Sequence, residues 1–198
     1  MTCLYRYPST AVAGTNRCRA GSDPVTRRYS WVMQLDGRVW FDFANPQVWR
    51  FYQFIRAFAK AGNTVALDWV PLYQDSQAEA MSVYIGLSSP LERGRFLHAL
   101  LGLVHIEGSD PDEREAVLRA MDAAGLSGGL PLVDTSALEA MTTNASELGV
   151  TDTPTLYQLG PVAHIVLNAA ASSGHLELTA QTIMSVLSDD GIWSITKP

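Results

Sequence analysis

The sequence predicts an α/β fold in which a β-α-β unit and a closing β-β-α unit are separated by a block of helices. Three observations carry this. An apolar run, Val39-Trp40-Phe41-Asp42-Phe43, leads directly into an amphipathic helix and then into a second apolar run, Thr64 to Val70. Residues 75–149 read as helix after helix. Strand-forming runs return only after residue 154. A strand, a helix and a strand at this spacing form a crossover, so the first two strands should pair in parallel.

In chain order, residues 30–43 read as a hairpin, because Asp36-Gly37, a favoured two-residue turn pair, stands between Ser30–Leu35 and Arg38–Phe43. The helix that follows is punctuated at both ends. Asn45 is a good N-cap, Pro46 is pre-set for the first helical position, and Gly62 sits where a glycine ends a helix. Val48, Phe51, Tyr52, Ile55, Phe58 and Ala59 give it one apolar face. The strand 64–70 stops at Pro71. Ser76–Glu79 and Ser89–Glu92 fit a capping box and Asp110–Glu113 a related form, predicting helices near 77–87, 90–106 and 111–124, with a fourth over 134–148 stopped by Gly149. A second hairpin is expected from 155–159 and 163–167 about Gly160-Pro161, then a helix over 176–188 and a short edge strand at 192–195.

The chain of 198 residues has 47% hydrophobic and 17% charged residues, which suits a well-buried globule. Its net charge of −6 is uneven: residues 1–28 hold five arginines against Asp23, a balance of +4, leaving −10 on residues 29–198. An acidic body has no broad electrostatic reason to bind nucleic acid. Cys3 and Cys18 are the two cysteines, both in the basic arm, so no disulfide framework or zinc site is expected. No apolar run approaches the roughly 18 residues of a membrane span, and Arg6, Pro8, Thr10 and Asn16 interrupt any secretory h-region, so a cytoplasmic location is expected. The expected organisation is a disordered arm over 1–28, one domain from 29–74 and 150–198, and an inserted helical subdomain over 75–149.

Two motifs stand out: Phe41-Asp42-Phe43-Ala44-Asn45-Pro46 at the first strand-to-helix junction, and Gly149-Val150-Thr151-Asp152-Thr153-Pro154-Thr155 before the third strand. With the helices carrying Phe96–Leu101 and Ala116–Ala120, they make residues 30–190 resemble the DsbA-like thioredoxin-fold family. That family spans the disulfide oxidoreductases proper and the branch of hydroxychromene-carboxylate isomerases and kappa-class glutathione transferases. The resemblance implies a thioredoxin-like fold with a helical insertion between its βαβ and ββα halves. It also implies a cis Thr153–Pro154 bond facing the first helix, and a Thr153 backbone that offers an edge to a bound peptide or thiol. The departures are as informative. Asn45 and Val48 occupy the positions where a C-x-x-C would fall, and Asp152 replaces a common glycine.

Thiol chemistry works at a helix N-terminus because free N–H groups and the macrodipole stabilise a thiolate. Asn45 neither ionises nor attacks a disulfide; its expected work is to cap the N–H of Val48 or a neighbour. The candidate binding residues are Asn45, Pro46, Thr153 and Pro154, with no confident catalytic residue and no metal ligand set. Asp42 and Asp68, expected near the ends of adjacent strands, are read as rim or turn-capping carboxylates, with a raised-pKa base as the alternative. His98 and His105, seven apart on one helix, lack a third ligand and read as packing or exposed residues. His164 and His175 have no nucleophile partner in the sequence.

Two functions follow. The first is a non-redox, DsbA-like binding protein with a groove for a peptide or partner, and a homodimer is compatible with it. The second is a transferase-like or isomerase-like enzyme holding glutathione or another low-molecular-weight thiol at the helix mouth. A third reading, redox chemistry through Cys3 or Cys18, needs the arm to fold onto the site.

Overall fold

In the computed structural model, which describes residues 33–128, 133, 135–158, 162–165, 183 and 192–195, the apolar run before Asn45 forms β1 (Gln34–Phe41). It leads into α1 (Pro46–Lys60) and then β2 (Thr64–Pro71), which pairs with β1 in parallel from Gln34↔Thr64 to Phe41↔Pro71. Four helices follow: α2 (Ala78–Gly86), α3 (Pro90–Glu107), α4 (Arg114–Ala123) and α5 (Thr135–Glu147). The chain then returns as β3 (Thr155–Tyr157), β4 (Val162–Ile165) and β5 (Ile192–Ile195). The sheet order is β2-β1-β3-β4-β5, with β3 antiparallel to both neighbours and β5 parallel to β4. The arm over 1–28, the turn at 160–161 and, Ile183 apart, the helix expected over 176–188 lie outside the described residues.

One expectation fails at the start. Asp36-Gly37 is not a turn; β1 runs through it and pairs with β2 on both sides of it. The glycine is needed for another reason. Gly37 has φ +130, and a Cβ there would lie 2.5 Å from the Tyr157 carbonyl oxygen of β3. Only a residue without a side chain lets β3 approach this closely. A turn signal read from two residues cannot register a strand that arrives 120 positions later.

The ends of α1 are as the sequence implies. Ala61 is the C-cap and Gly62 follows at φ +91. Gly62 N–H donates to Ala59 and Asn63 N–H to Phe58, the paired bonds of a Schellman motif. Of the expected α1 stripe, Val48, Phe51, Ile55 and Phe58 are buried and are joined by Phe54, while Tyr52 is half-buried and Ala59, near the helix end, is exposed; each buried side chain contributes ~1.5–3 kcal/mol of transfer free energy. The capping expectations divide. Ser89 forms a capping box with Glu92. The other two do not: the α2 N-cap is Gln77 in a left-handed conformation, and α4 starts at Arg114 after Glu113, neither with a side-chain cap. Asp110 instead accepts from Asp112 N–H at 2.9 Å, and the Asp112 carboxylate accepts from Gln77 N–H. The pattern Asp-Pro-Asp-Glu therefore ties α4 to α2 instead of opening a helix.

The described residues from Gln34 onward belong to one compact unit. One buried cluster joins Phe41, Phe43 and Val48 to Met81, Tyr84, Phe96, Leu100, Val117 and Leu138, so the inserted helices share their core with β1 and α1. Edge-to-face contacts of Phe41 with Phe43 (5.1 Å) and with Tyr84 (5.2 Å) lie at its centre. On the other face of the sheet Trp40 packs with Leu72, Ala145 and Val150. The Thr142 hydroxyl fastens α5 to the chain after β2, accepting from Tyr73 N–H at 3.0 Å and donating to Tyr73 O at 3.1 Å.

Gly37→Ala should lower the unfolding free energy by about 1–3 kcal/mol, from backbone strain and displacement of β3. Gly94→Ala, in mid-α3 with open space around the new methyl, should raise it by about 0.4–1 kcal/mol. Urea denaturation of both variants checks the pair, and a Gly37→Ala midpoint equal to wild type would refute the close-approach account.

Candidate functional site

The β1–α1 junction and the segment before β3 meet at the N-terminal end of α1. Asp42, just past β1, accepts on Oδ1 from the N–H groups of Ala44 (2.9 Å) and Asn45 (2.8 Å). It therefore caps the turn, the ordinary role expected of it; Asp68 lies in register with Arg38, four residues earlier along β1, so the two carboxylates are not neighbours. Asn45 is the α1 N-cap, as expected, and its Oδ1 accepts from the N–H of Gln47, the neighbour of Val48, at 2.8 Å. Val48 N–H instead donates to the Asn45 carbonyl at 3.0 Å, and its side chain is fully buried. Pro46 has no N–H to give. Every main-chain donor of the first turn is thus committed inside the protein.

The other half of the Asn45 amide faces across the mouth. Nδ2 donates to the Thr153 carbonyl at 2.7 Å and to Thr153 Oγ1 at 3.1 Å. The Thr153 hydroxyl donates in turn to Asp42, and Thr153 N–H donates to Asp152 Oδ1 at 2.8 Å. The Thr153–Pro154 bond is cis, and both residues are buried, Thr153 to 2% exposure. The structure therefore brings Asn45, Pro46, Thr153 and Pro154 together, as the two motifs imply. It does not leave Thr153 as an edge for an extended peptide: its N–H and its C=O are both occupied by side chains of this chain.

Gln77, which the sequence did not single out, and His105 hold the junction from behind. Phe43 N–H donates to Gln77 Oε1 at 2.7 Å, and Gln77, 4% exposed, is fixed by Asp112. His105 Nε2 lies 2.9 Å from the Phe43 carbonyl. Burial lowers the His105 pKa against the opposing pull of that carbonyl and of Asp42, so the neutral ring donates from Nε2. Burial, then Arg56, lowers the His98 pKa as well. The two histidines end one ring stack, His105 on Trp49, Trp49 on Tyr52 and Tyr52 on His98. Their seven-residue spacing is the visible signal of a shared face, but nothing in it identifies Phe43 as a partner. His164 Nε2 stands 3.9 Å from Asp152 Oδ2 and its Nδ1 3.5 Å from Thr155 Oγ1. His175, Cys3 and Cys18 lie outside the described residues. Among the described residues no group of three His, Cys, Asp or Glu is placed to hold a metal, and no helix is long and apolar enough to cross a membrane. The cleft walled by β2, α2 and α5 and the one between α2 and the end of α4 are both lined by residues other than 42–45 and 152–154.

The chain is similar to a periplasmic thioredoxin-like protein from Salmonella enterica serovar Typhimurium, with a TM-score of 0.53 and 14% identity over 77% of this chain and 82% of that one. It is similar to Proteus mirabilis ScsC in a transitional conformation, with a TM-score of 0.54 and 14% identity over 77% of this chain and 66% of that one. DsbA from Klebsiella pneumoniae aligns with 92% of this chain and 100% of its own at 13% identity and a TM-score of 0.49. At these identities the likeness is one of fold, and the fold is thioredoxin-like. No protein-family model and no curated protein matches the chain.

Asn45→Ala removes a helix cap and leaves the buried Thr153 carbonyl without its donor, so the unfolding free energy should fall by ~1–3 kcal/mol. Asn45→Asp keeps the capping oxygen but sets a carboxylate against that carbonyl, and should cost at least as much. An Asp variant within about 0.5 kcal/mol of wild type, the range of an ordinary surface change, would show that the bridge to Thr153 contributes nothing. A second expectation concerns pH. His98 and His105 bind protons less readily folded than unfolded, so the unfolded chain takes up protons first as pH falls below about 6.5. Their contribution is intact above that value and is lost below it. Urea midpoints between pH 8 and 5 should fall towards acid, and the fall should shrink in the His98→Gln/His105→Gln double variant.

Proposed function

We propose that this thioredoxin-fold protein carries out no thiol–disulfide exchange and acts by binding. The observation that supports this reading best is the Asn45 side chain. It occupies the helix mouth with an unreactive amide and spends both of its polar atoms inside the protein, on Gln47 N–H and on Thr153. The second C-x-x-C position is held by Val48, which is fully buried and faces the core, so a group there has no access to a substrate disulfide. On this reading the redox pair has been replaced and its place sealed.

The alternative, a thiol such as glutathione held at the α1 N-terminus, needs free N–H donors to receive the sulfur or a carboxylate. Those of Ala44, Asn45, Gln47 and Val48 all have partners, and the Asp42 carboxylate already sits at the mouth. An incoming anion would meet a like charge and no vacant donor, and this favours the binding reading.

In an insulin-reduction assay with dithiothreitol the full chain should not accelerate precipitation above background. Acceleration by the full chain that is lost in the Cys3→Ser/Cys18→Ser variant would overturn the proposal, because it would trace thiol–disulfide exchange to the only two thiols of the chain. Thermal-shift titration with reduced glutathione should leave the melting temperature unchanged. A saturable rise that Asn45→Leu abolishes would instead establish the thiol-binding alternative.

A further inference from the structure

With the mouth closed by its own side chains, a binding role needs another place, and one cleft has the shape and lining of a ligand site. It encloses about 590 Å³, within the range of small-molecule sites. Its floor is the last half of the edge strand β2, Asp68 to Pro71; one wall is α5 and the other is the end of α2 with Arg93 of α3. Most of the lining is apolar, led by Trp69, Tyr84, Ile85 and Met141.

The polar groups are few and carry an excess of positive charge. Arg38 and Asp68 form an ion pair at 3.4 Å on the rim, both well exposed, and largely offset one another. Arg93 is not offset. Its Nε donates to Leu87 O at 2.7 Å and one terminal nitrogen lies 3.4 Å from Ile85 O. The guanidinium lies 5.9 Å from the centre of the Tyr84 ring. Among the described residues no carboxylate pairs with it. The carbonyls and the ring hold the guanidinium in one orientation, and its remaining N–H groups can still donate. A fixed, unpaired guanidinium at an apolar cleft, in a body of net charge −10 over residues 29–198, is matched by a single carboxylate with an apolar tail.

An extended peptide fits less well. Strand addition would need the free edge of β2, but the Tyr84 hydroxyl donates to the Trp69 carbonyl at 3.0 Å, and Pro71 has no N–H for a ladder.

We infer that the cleft between β2, α2 and α5 binds a small amphipathic carboxylate, its tail against Trp69, Tyr84, Ile85 and Met141 and its carboxylate on the guanidinium of Arg93. This deepens the binding reading by naming its site and ligand class. The test does not involve the helix mouth, so the two can fail separately: the insulin assay decides the redox question and the following experiment decides the cleft.

Octanoate and its neutral analogue octanamide are titrated into the full-length, isotope-labelled protein and followed by amide chemical shifts. Octanoate should bind saturably, with shifts confined to the cleft and its chain neighbours, residues 38, 68–70, 84–87, 92–94 and 137–144, and octanamide should bind about tenfold more weakly, having lost a charge-assisted bond. Met141→Trp, which fills the cleft and leaves Arg93 in place, should abolish octanoate binding. Arg93→Met should bring octanoate to the affinity of octanamide; because Arg93 also holds the end of α2, that result is read only if the variant keeps the wild-type spectrum, and Met141→Trp decides the matter otherwise. Equal affinity for the two compounds, shifts elsewhere on the protein, or undiminished binding by Met141→Trp would each overturn the inference.

Discussion

The bond from the Asn45 amide to the Thr153 carbonyl, 2.7 Å long, is the interaction around which the mouth of this fold is arranged. It joins two segments separated by 108 positions in the chain, and it does so from the N-cap of α1, a helix that buries Phe51, Phe54 and Phe58 in the core. Asn45 can make it because a carboxamide is a donor and an acceptor at once. The oxygen caps the helix; the nitrogen reaches the strand. Aspartate would serve the first task equally well, but its carboxylate has no donor to offer the second. Asp42 completes the arrangement by holding the Ala44 and Asn45 N–H groups and receiving the Thr153 hydroxyl.

The inserted helices take part in the same arrangement. Gln77 at the start of α2 and His105 near the end of α3 bond the N–H and the carbonyl of Phe43, while the Phe43 ring sits in the core against Phe41 and Phe96. The mouth is the gap between the α1 terminus and Thr153, the residue before the cis proline. Here both sides of that gap are tied to each other and to the helical block behind them. The proposed ligand site lies instead along the sheet edge, in the cleft lined by β2, α2 and α5, where two arginines face one aspartate.

Much of the architecture was legible because it is written in local signals. The α1 boundaries follow from Asn45, Pro46 and Gly62; the parallel β1–β2 pair follows from a single crossover; the four inserted helices lie within a few residues of their expected spans. The errors share a cause. Asp36-Gly37 looks like a turn and is strand, because the glycine accommodates the Tyr157 carbonyl of a distant neighbour. Asp110–Glu113 looks like a capping box and is a tie between helices, because Asp112 finds Gln77. In each case a residue type suited to one local use was taken up by a partner from elsewhere in the chain.

The segment that faces the α1 terminus was expected only from the family resemblance; the sequence by itself determined the order of the elements and the absence of a thiol at that terminus. These depend on hydrophobic period, on the conformational preferences of Asn, Pro and Gly, and on which side chains can ionise, all properties of residues and their near neighbours. Only the tertiary structure decided whether that terminus is open or closed, because closure depends on which donors and acceptors meet across the fold. The same holds for the cleft. Trp69, Tyr84, Arg93 and Met141 share no motif, and they become a site only when an edge strand and three helices bring their side chains to one surface.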